Sequence, residues 1–554
     1  MAMMQKPPAA LSAATIAELK KKKVLIVEDF NSFRSTVRKM LQSFGLTDIE
    51  EAPDGEEAIS KMSKKKFDVI LCDYNLGPGK DGQQILEEAR ACEYIDASTI
   101  FIMATAENTM NMLMGVLEYQ PDDYLVKPFT REILDRKLRD WINRKNNLKE
   151  IERAGARKDY DRAIALCDEL MGQNPKNLSQ LLKIKGDALI KKGDYAEAAK
   201  FYEKILTMGS LPWALLGLGK VHFLNGRYDE AGEIFQRIIE QNDKVIAAHD
   251  WLAKVHEKKG DLQAAQAVLE AAVRISPKAI LRQKALGDIA LKNNDLAVAE
   301  KSFRETVKQG KHSFFKSASD YTNLAKVLVE KNQPEEGLGV LNSAGKEFMK
   351  SPEALLKIAA TEMLTLRTMN RHDEAAQAME KMSALTAQLP GKLSSDVELD
   401  VARTLIEAGE EEEGNAIIRR LIQNNHEDEE LIASVGEVFK DLHIEDKGQE
   451  IIAAARDEVI LLNNDGVRHV REGNLDMAVE LFEKAVERLP DNKVINANAA
   501  QAYLMFMKKN GNELNLIKKT RDCLNRVKHL DPGYRNLDIL LNLYKELVKE
   551  GEMT

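Results

Sequence analysis

Cysteine is scarce: the 554 residues hold four, Cys72, Cys92, Cys167 and Cys523. They form no CxxC pair, which argues against a disulfide framework or a zinc site and fits a reducing cytoplasm. Proline, at 14, and aromatic residues, at 6%, are also few. That scarcity disfavours a β-sandwich and suits helices packed through small side chains. No apolar run approaches the ~18 residues of a membrane span, so insertion into a bilayer is not expected. No excess of basic residues exists either. The net charge of −9 makes nucleic acid a poor partner. The nine histidines are dispersed, without HExxH spacing. Residues 1–20 place their lysine cluster after a weakly apolar stretch, the reverse of a secretory signal, and read as a flexible leader.

What is present falls into two regimes. Between residues 23 and 129, short apolar runs alternate with amphipathic helical stretches. Val24–Val27, Val69–Cys72 and Ile100–Ala104 are nearly uninterrupted apolar, as strands buried on both faces are. Asp48–Ala52 and Tyr124–Val126 are weaker strand candidates. Helical patterns lie at about 31–43, 55–64, 82–91 and 108–119, and another begins near Thr130. Five βα units predict a doubly wound α/β domain with a five-stranded parallel sheet, whose ligands bind at the carboxyl ends of the strands.

Beyond residue 150 no strand signal occurs, and the chain repeats. The quartet Gly186, Gly193, Ala198, Tyr202 returns as Gly219, Gly226, Ala231, Phe235. It returns again as Ala253, Gly260, Ala265, Leu269, then as Gly287, Asn294, Ala299, Phe303. The alanines step by 33, 34 and 34 residues, and Gly466, Gly473, Ala478, Phe482 repeat the set downstream. This resembles the tetratricopeptide repeat family, with its ~34-residue helix–turn–helix unit. The small residue at the eighth position lets two helices approach. Gly or Asn at the turn supplies left-handed backbone. Pro277 and Pro490 stop second helices. From 335 to 455 the register loosens, with Gly337, Gly414 and Gly448 replacing the alanine and Ala375 between them. The expected division is the α/β domain at 21–145, well-matched repeats at 146–335, degenerate helical hairpins at 336–455, and a C-terminal repeat with a capping hairpin at 456–554, the hairpin itself ending at Asp531–Pro532.

The strand ends carry the chemistry. Glu28 and Asp29 end the first strand, Asp73 the third, Thr105 the fourth and Lys127 the fifth. Three carboxylates around one point repel unless a hard cation neutralises them, and Mg²⁺ favours such donors. A carboxylate, a divalent cation, a lysine and a hydroxyl describe a phosphoryl-binding site. With LIVEDFNSFR, ILCDYNL, IMATAE and YLVKPF, residues 23–129 resemble the receiver domains of two-component response regulators, the chemotaxis type in particular. The resemblance implies that Asp73 is the phosphoacceptor, and that Glu28, Asp29, Asp73 and the backbone carbonyl of Asn75 hold Mg²⁺. It implies that Lys127 pairs with the phosphoryl group, that Thr105 donates to it, and that Tyr124 is the switch aromatic, turning inward on phosphorylation. It also implies a cis Lys127–Pro128 bond. Two departures stand out: a Glu–Asp acidic pair in place of Asp–Asp, and a loop DYNLGPGKD one residue longer than the common pattern.

No basic helix-turn-helix, P-loop or nucleophile elbow follows residue 130, so no separate enzymatic output is expected. The output is then the helical array acting as a protein-binding scaffold. Lys183, Lys220 and Lys254 do not reproduce the carboxylate clamp of some repeat proteins. The expected phosphoryl donor is a histidine kinase or a phosphotransfer protein, and the array's protein ligand is unnamed. The alternatives are a constitutive scaffold whose receiver docks or forms a homodimer, and a phosphate sink for a kinase. Arg131–Ala154 contains neither Gly nor Pro and reads as a continuous helix, with Trp141 buried at the junction and a two-state face around Asn108–Asn143.

Overall fold

The structure is a computed structural model that describes residues 21–96, 99–106, 121–173, 177–209, 211–389 and 393–551. The leader at 1–20 and the helix expected at 108–119 lie outside the described residues, as does the first part of the expected switch face, up to residue 120. The chain divides into two compact units, the first ending at Asp320 and the second beginning at Tyr321.

The first unit opens with β1 (Lys23–Val27), α1 (Asn31–Ser43), β2 (Asp48–Ala52), α2 (Gly55–Met62), β3 (Val69–Asp73), α3 (Gly82–Ala91), β4 (Ile100–Thr105) and β5 (Asp123–Val126). The strands pair in parallel, in the order β2-β1-β3-β4-β5. The apolar runs are continuous because alternate side chains serve two different cores. Val24 and Ile26 face a cluster with Val37, Leu41, Leu134, Leu138 and Trp141. Leu25 and Val27 face another with Ala58, Ile59, Ile85 and Leu86. Helix starts are fixed by side chains: Asp54 accepts from the Glu57 amide, and Asp81 with Gln84 forms a capping box.

Helix α4 runs unbroken from Arg131 to Ala156. Its first half buries Leu134, Leu138, Trp141 and Ile142 on the sheet. At ~1.5–3 kcal/mol for each large apolar side chain, that burial contributes roughly 6–12 kcal/mol before entropy is counted. Trp141 was expected at the junction, but it lies in the sheet's own core, because four positions along a helix return a side chain to the same face. The junction is filled instead by Leu148, Ile151 and Ala154, which pack with Ala163 and Cys167 of α5 (Tyr160–Gly172).

Helices then alternate through α6 (Leu178–Lys192), α7 (Tyr195–Leu206), α8 (Pro212–Leu224), α9 (Tyr228–Gln241), α10 (Ile246–Lys258), α11 (Leu262–Ile275), α12 (Ile280–Lys292) and α13 (Leu296–Gly310). The small residue of each quartet faces its aromatic: a Cβ on Gly219 would stand 2.5 Å from the Phe235 ring, and one on Gly287 2.6 Å from the Phe303 ring. Where the small residue is Ala253, the ring is replaced by Leu269, so the pair keeps its combined volume.

The second unit is helical throughout its described residues. The left-handed turn persists where the alanine register fades, at Asn332, Asn370, Gly409 and His443. Helix Glu445–Arg471 runs across the boundary expected at 455, since no Gly or Pro stands between Gly448 and Gly466 to break it. The hairpin of helices Lys493–Asn510 and Leu514–Leu530 stops beside Asp531–Pro532, and a further helix, Leu537–Gly551, lays Leu537 and Leu540 on it.

Candidate functional site

The parallel register brings five strand ends to one edge. Asp73 is level with Ala104, and Thr105 with Val126. Backbone bonds extend the alignment past the strands: the Glu28 amide donates to the Ala52 carbonyl at 3.0 Å, Tyr74 to Ala104 at 2.8 Å, and Lys127 to Thr105 at 2.7 Å.

At this edge Lys127 Nζ lies 2.6 Å from Glu28 Oε2 and 2.7 Å from Asp73 Oδ2. Carboxylate oxygens of Glu28, Asp29 and Asp73 lie within 4.8 Å of one another. Glu28 and Asp73 are buried and Asp29 is exposed, so the acidic cluster opens to solvent on one side. Burial, the largest cause, pushes the Glu28 and Asp73 carboxyls above the usual carboxylate range, against the pull of Lys127. Two desolvated acids served by a single ammonium form a donor set suited to a hard divalent cation. Thr105 is buried at the end of β4. Asn75 is exposed, two residues past the end of β3. The Lys127–Pro128 bond is cis.

The Tyr124 ring is partly buried against the cluster that holds Phe101, Met103 and Ile85, and its hydroxyl is buried without a hydrogen-bond partner among the described residues. Sequence reasoning missed Phe33 and Arg34. The Phe33 ring lies 4.6 Å beneath Lys127 Nζ, a cation–π support. Arg34 binds the Glu28 carbonyl and, at 3.1 Å, Glu51. Both follow the acidic pair by a helical turn, and that spacing was the available signal. In the array, Lys183 stands over Trp213, and Lys220 and Lys254 over Trp251, rather than forming a clamp.

A parallel 2-1-3-4-5 sheet with this strand-end cluster, followed by helical hairpins, defines a receiver-type domain joined to a repeat array. The family model for the response regulator receiver domain matches residues 24–139. Tetratricopeptide repeat models match 148–211, 189–255 and 246–278. The chemotaxis protein CheY of Pseudomonas aeruginosa is 32% identical over 124 residues, covering 22% of this chain and 98% of the relative. Chemotaxis protein CheY-3 of Vibrio cholerae is 34% identical over 119 residues, covering 22% of this chain and 90% of the relative. A solved receiver domain of a Pseudomonas aeruginosa sensor histidine kinase, with a magnesium ion coordinated in its active site cleft, is 31% identical. It covers 22% of this chain and 98% of that one, with a TM-score of 0.20. The chain belongs to the response regulator receiver family through its N-terminal domain and carries tetratricopeptide repeats after it. No helix among the described residues is long and apolar enough to cross a membrane.

Proposed function

We propose that this chain is a phosphorelay response regulator in which Asp73 accepts a phosphoryl group and the repeat array carries the output. The observation that supports this most is the Lys127 bridge between Asp73 and Glu28 beside the exposed Asp29. An Asp73 carboxylate oxygen attacks the phosphorus of a phosphohistidine on a histidine kinase or phosphotransfer protein. A P–O bond forms, the P–N bond breaks, and the released imidazole takes a proton from solvent. Hydrolysis by water later returns inorganic phosphate and the carboxylate. While the phosphoryl group is on Asp73, Lys127 pairs with its oxygens and the Thr105 hydroxyl donates to one of them.

The acidic cluster fits Mg²⁺, with Glu28, Asp29, Asp73 and the Asn75 carbonyl as the residues that would hold it. The ion would supply neutralising charge for the phosphoryl oxygens. The domains divide inside α4, near residue 145. The array's part is to bind protein, as stacked hairpins present extended surfaces, and the only catalysis in this reading is the receiver's own. Incubation with acetyl phosphate and Mg²⁺ tests it: wild type should be labelled, and Asp73→Asn should not.

A further inference from the structure

The first unit holds a polar contact between the receiver domain and its own array, next to the acceptor. Lys80 Nζ donates to the His312 carbonyl at 2.9 Å, and Gln84 Nε2 donates to the Gln309 carbonyl at 3.2 Å. The hydroxyl of Ser313 donates to Glu87 Oε2 at 3.2 Å. Glu87 and Ser313 are both buried, at 4% and 5% exposure. Facing this set, the array's Lys278 offsets the charge of Asp81. The accepting carbonyls lie at the carboxyl end of α13 and just past it, where helix carbonyls lack partners within the helix and a cation is favoured. The receiver thus caps an array helix.

The same few residues are tied to Asp73. The Gly82 amide donates to the Tyr74 carbonyl at 2.9 Å, and a Cβ on Gly82 would collide with the Asp73 carbonyl. The side chain of Gln84 does two things at once: Oε1 accepts from the Asp81 amide at 3.1 Å while Nε2 holds the array. The loop from Tyr74 to Asp81 is therefore anchored at one end on the acceptor and at the other on the array. Its extra length and two glycines, Gly77 and Gly79 at positive φ, give it room to move between those anchors.

We propose that Lys80, Gln84 and Glu87 latch the receiver to the array turn 309–313, and that phosphorylation of Asp73 opens the latch. This rests on Asp73 being the phosphoacceptor. A phosphoryl group adds roughly −1.5 to −2 charges at the start of the loop. Charge-assisted bonds to such an anion outcompete a bond to a neutral carbonyl. Lys80 is the loop's cation; it pairs with Glu88 at 3.0 Å as well as with the neutral His312 carbonyl, and the bond to the carbonyl is the one exchanged. Opening uncovers α3 and the turn 309–313, by a route separate from the face around Asn108–Asn143.

Backbone amide hydrogen exchange on the full-length chain tests this, with Asp73 labelling by acetyl phosphate and Mg²⁺ read on the same samples. Exchange over residues 305–316 should quicken several-fold when wild type is labelled and stay slow in Asp73→Asn. Ser313→Asp places a second carboxylate against Glu87 and should exchange quickly without label, while still being labelled at Asp73. Lys80→Ala, a milder change, should do the same to a smaller extent. Labelled wild type with unchanged exchange at 305–316 overturns the latch but leaves the acceptor standing. Wild-type protection in both Ser313→Asp and Lys80→Ala also overturns it. Absence of labelling in wild type removes the acceptor reading, and the latch with it.

Discussion

Trp141 Nε1 donates to Asp123 Oδ2 at 2.5 Å, joining the long helix α4 to the first residue of the edge strand β5. Asp123 also takes Lys137 Nζ at 3.0 Å, and these bonds hold its carboxyl below the usual range despite burial. The helix is thereby fixed at one end on the sheet, while Leu148 and Ile151 fix its other end in the first repeat. Inserting Gly-Gly after Asn146 should leave each end folded but free to reorient. Small-angle scattering should then report a broader range of shapes than wild type. An unchanged profile would show that α4 is not what sets the geometry.

Lys127→Met removes the cation between Glu28 and Asp73. Breaking a buried ion pair from one side costs several kcal/mol, and in this cleft the loss at pH 8 should be roughly 2–4 kcal/mol. It should shrink as pH falls, because burial raises both carboxyls above the usual range and their protonation removes the uncompensated charge. Urea unfolding at pH 8 and pH 5 checks the sign.

Glu152 gives a second pH dependence. Burial pushes its carboxyl up to about 7, from an ordinary value of 4.5, although Lys145 lies 3.7 Å away. The folded chain thus holds this proton more tightly than the unfolded chain does. Stability falls as pH rises from about 4.5 to 7 and stays lower above it. At 1.36 kcal/mol per pKa unit, Glu152→Gln should gain up to about 3 kcal/mol at pH 8 and little at pH 4. Equal gains at both pH values would remove the titration argument.

Two glycines in the array should respond oppositely to alanine. At Gly287 the added methyl meets the Phe303 ring at 2.6 Å, so overpacking should cost about 1–3 kcal/mol. At Gly232 it meets Val255 Cγ1 at 3.4 Å, ordinary contact, so the helix preference of alanine should add ~0.5–1 kcal/mol. Thermal unfolding of the two variants should therefore shift in opposite directions.

The strands were legible because Val24–Val27 and Ile100–Thr105 are buried on both faces, which leaves an unbroken apolar string. The acidic cluster was legible because strand ends in a parallel sheet converge, so Glu28, Asp73 and Lys127 could be placed together without coordinates. The latch was not, because Lys80 and Gln84 bind backbone carbonyls, and a carbonyl has no side-chain signature. In the second unit the turn at His443 was missed because it takes left-handed backbone without Gly or Asn. The resting position of Tyr124 depends on how the ring packs against Ile85 and Phe101, which spacing along the chain does not encode.

The central claim is that Asp73, read through Lys127 and the acidic pair, is where a phosphoryl group enters this chain. Its most direct measurement is peptide mapping by mass spectrometry after incubation with acetyl phosphate and Mg²⁺. The account predicts a single phosphoryl group on the peptide containing Asp73, absent in Asp73→Asn and in Asp29→Ala and lost from wild type when Mg²⁺ is chelated. A label that persists in Asp73→Asn, or that forms equally well without Mg²⁺, would contradict it.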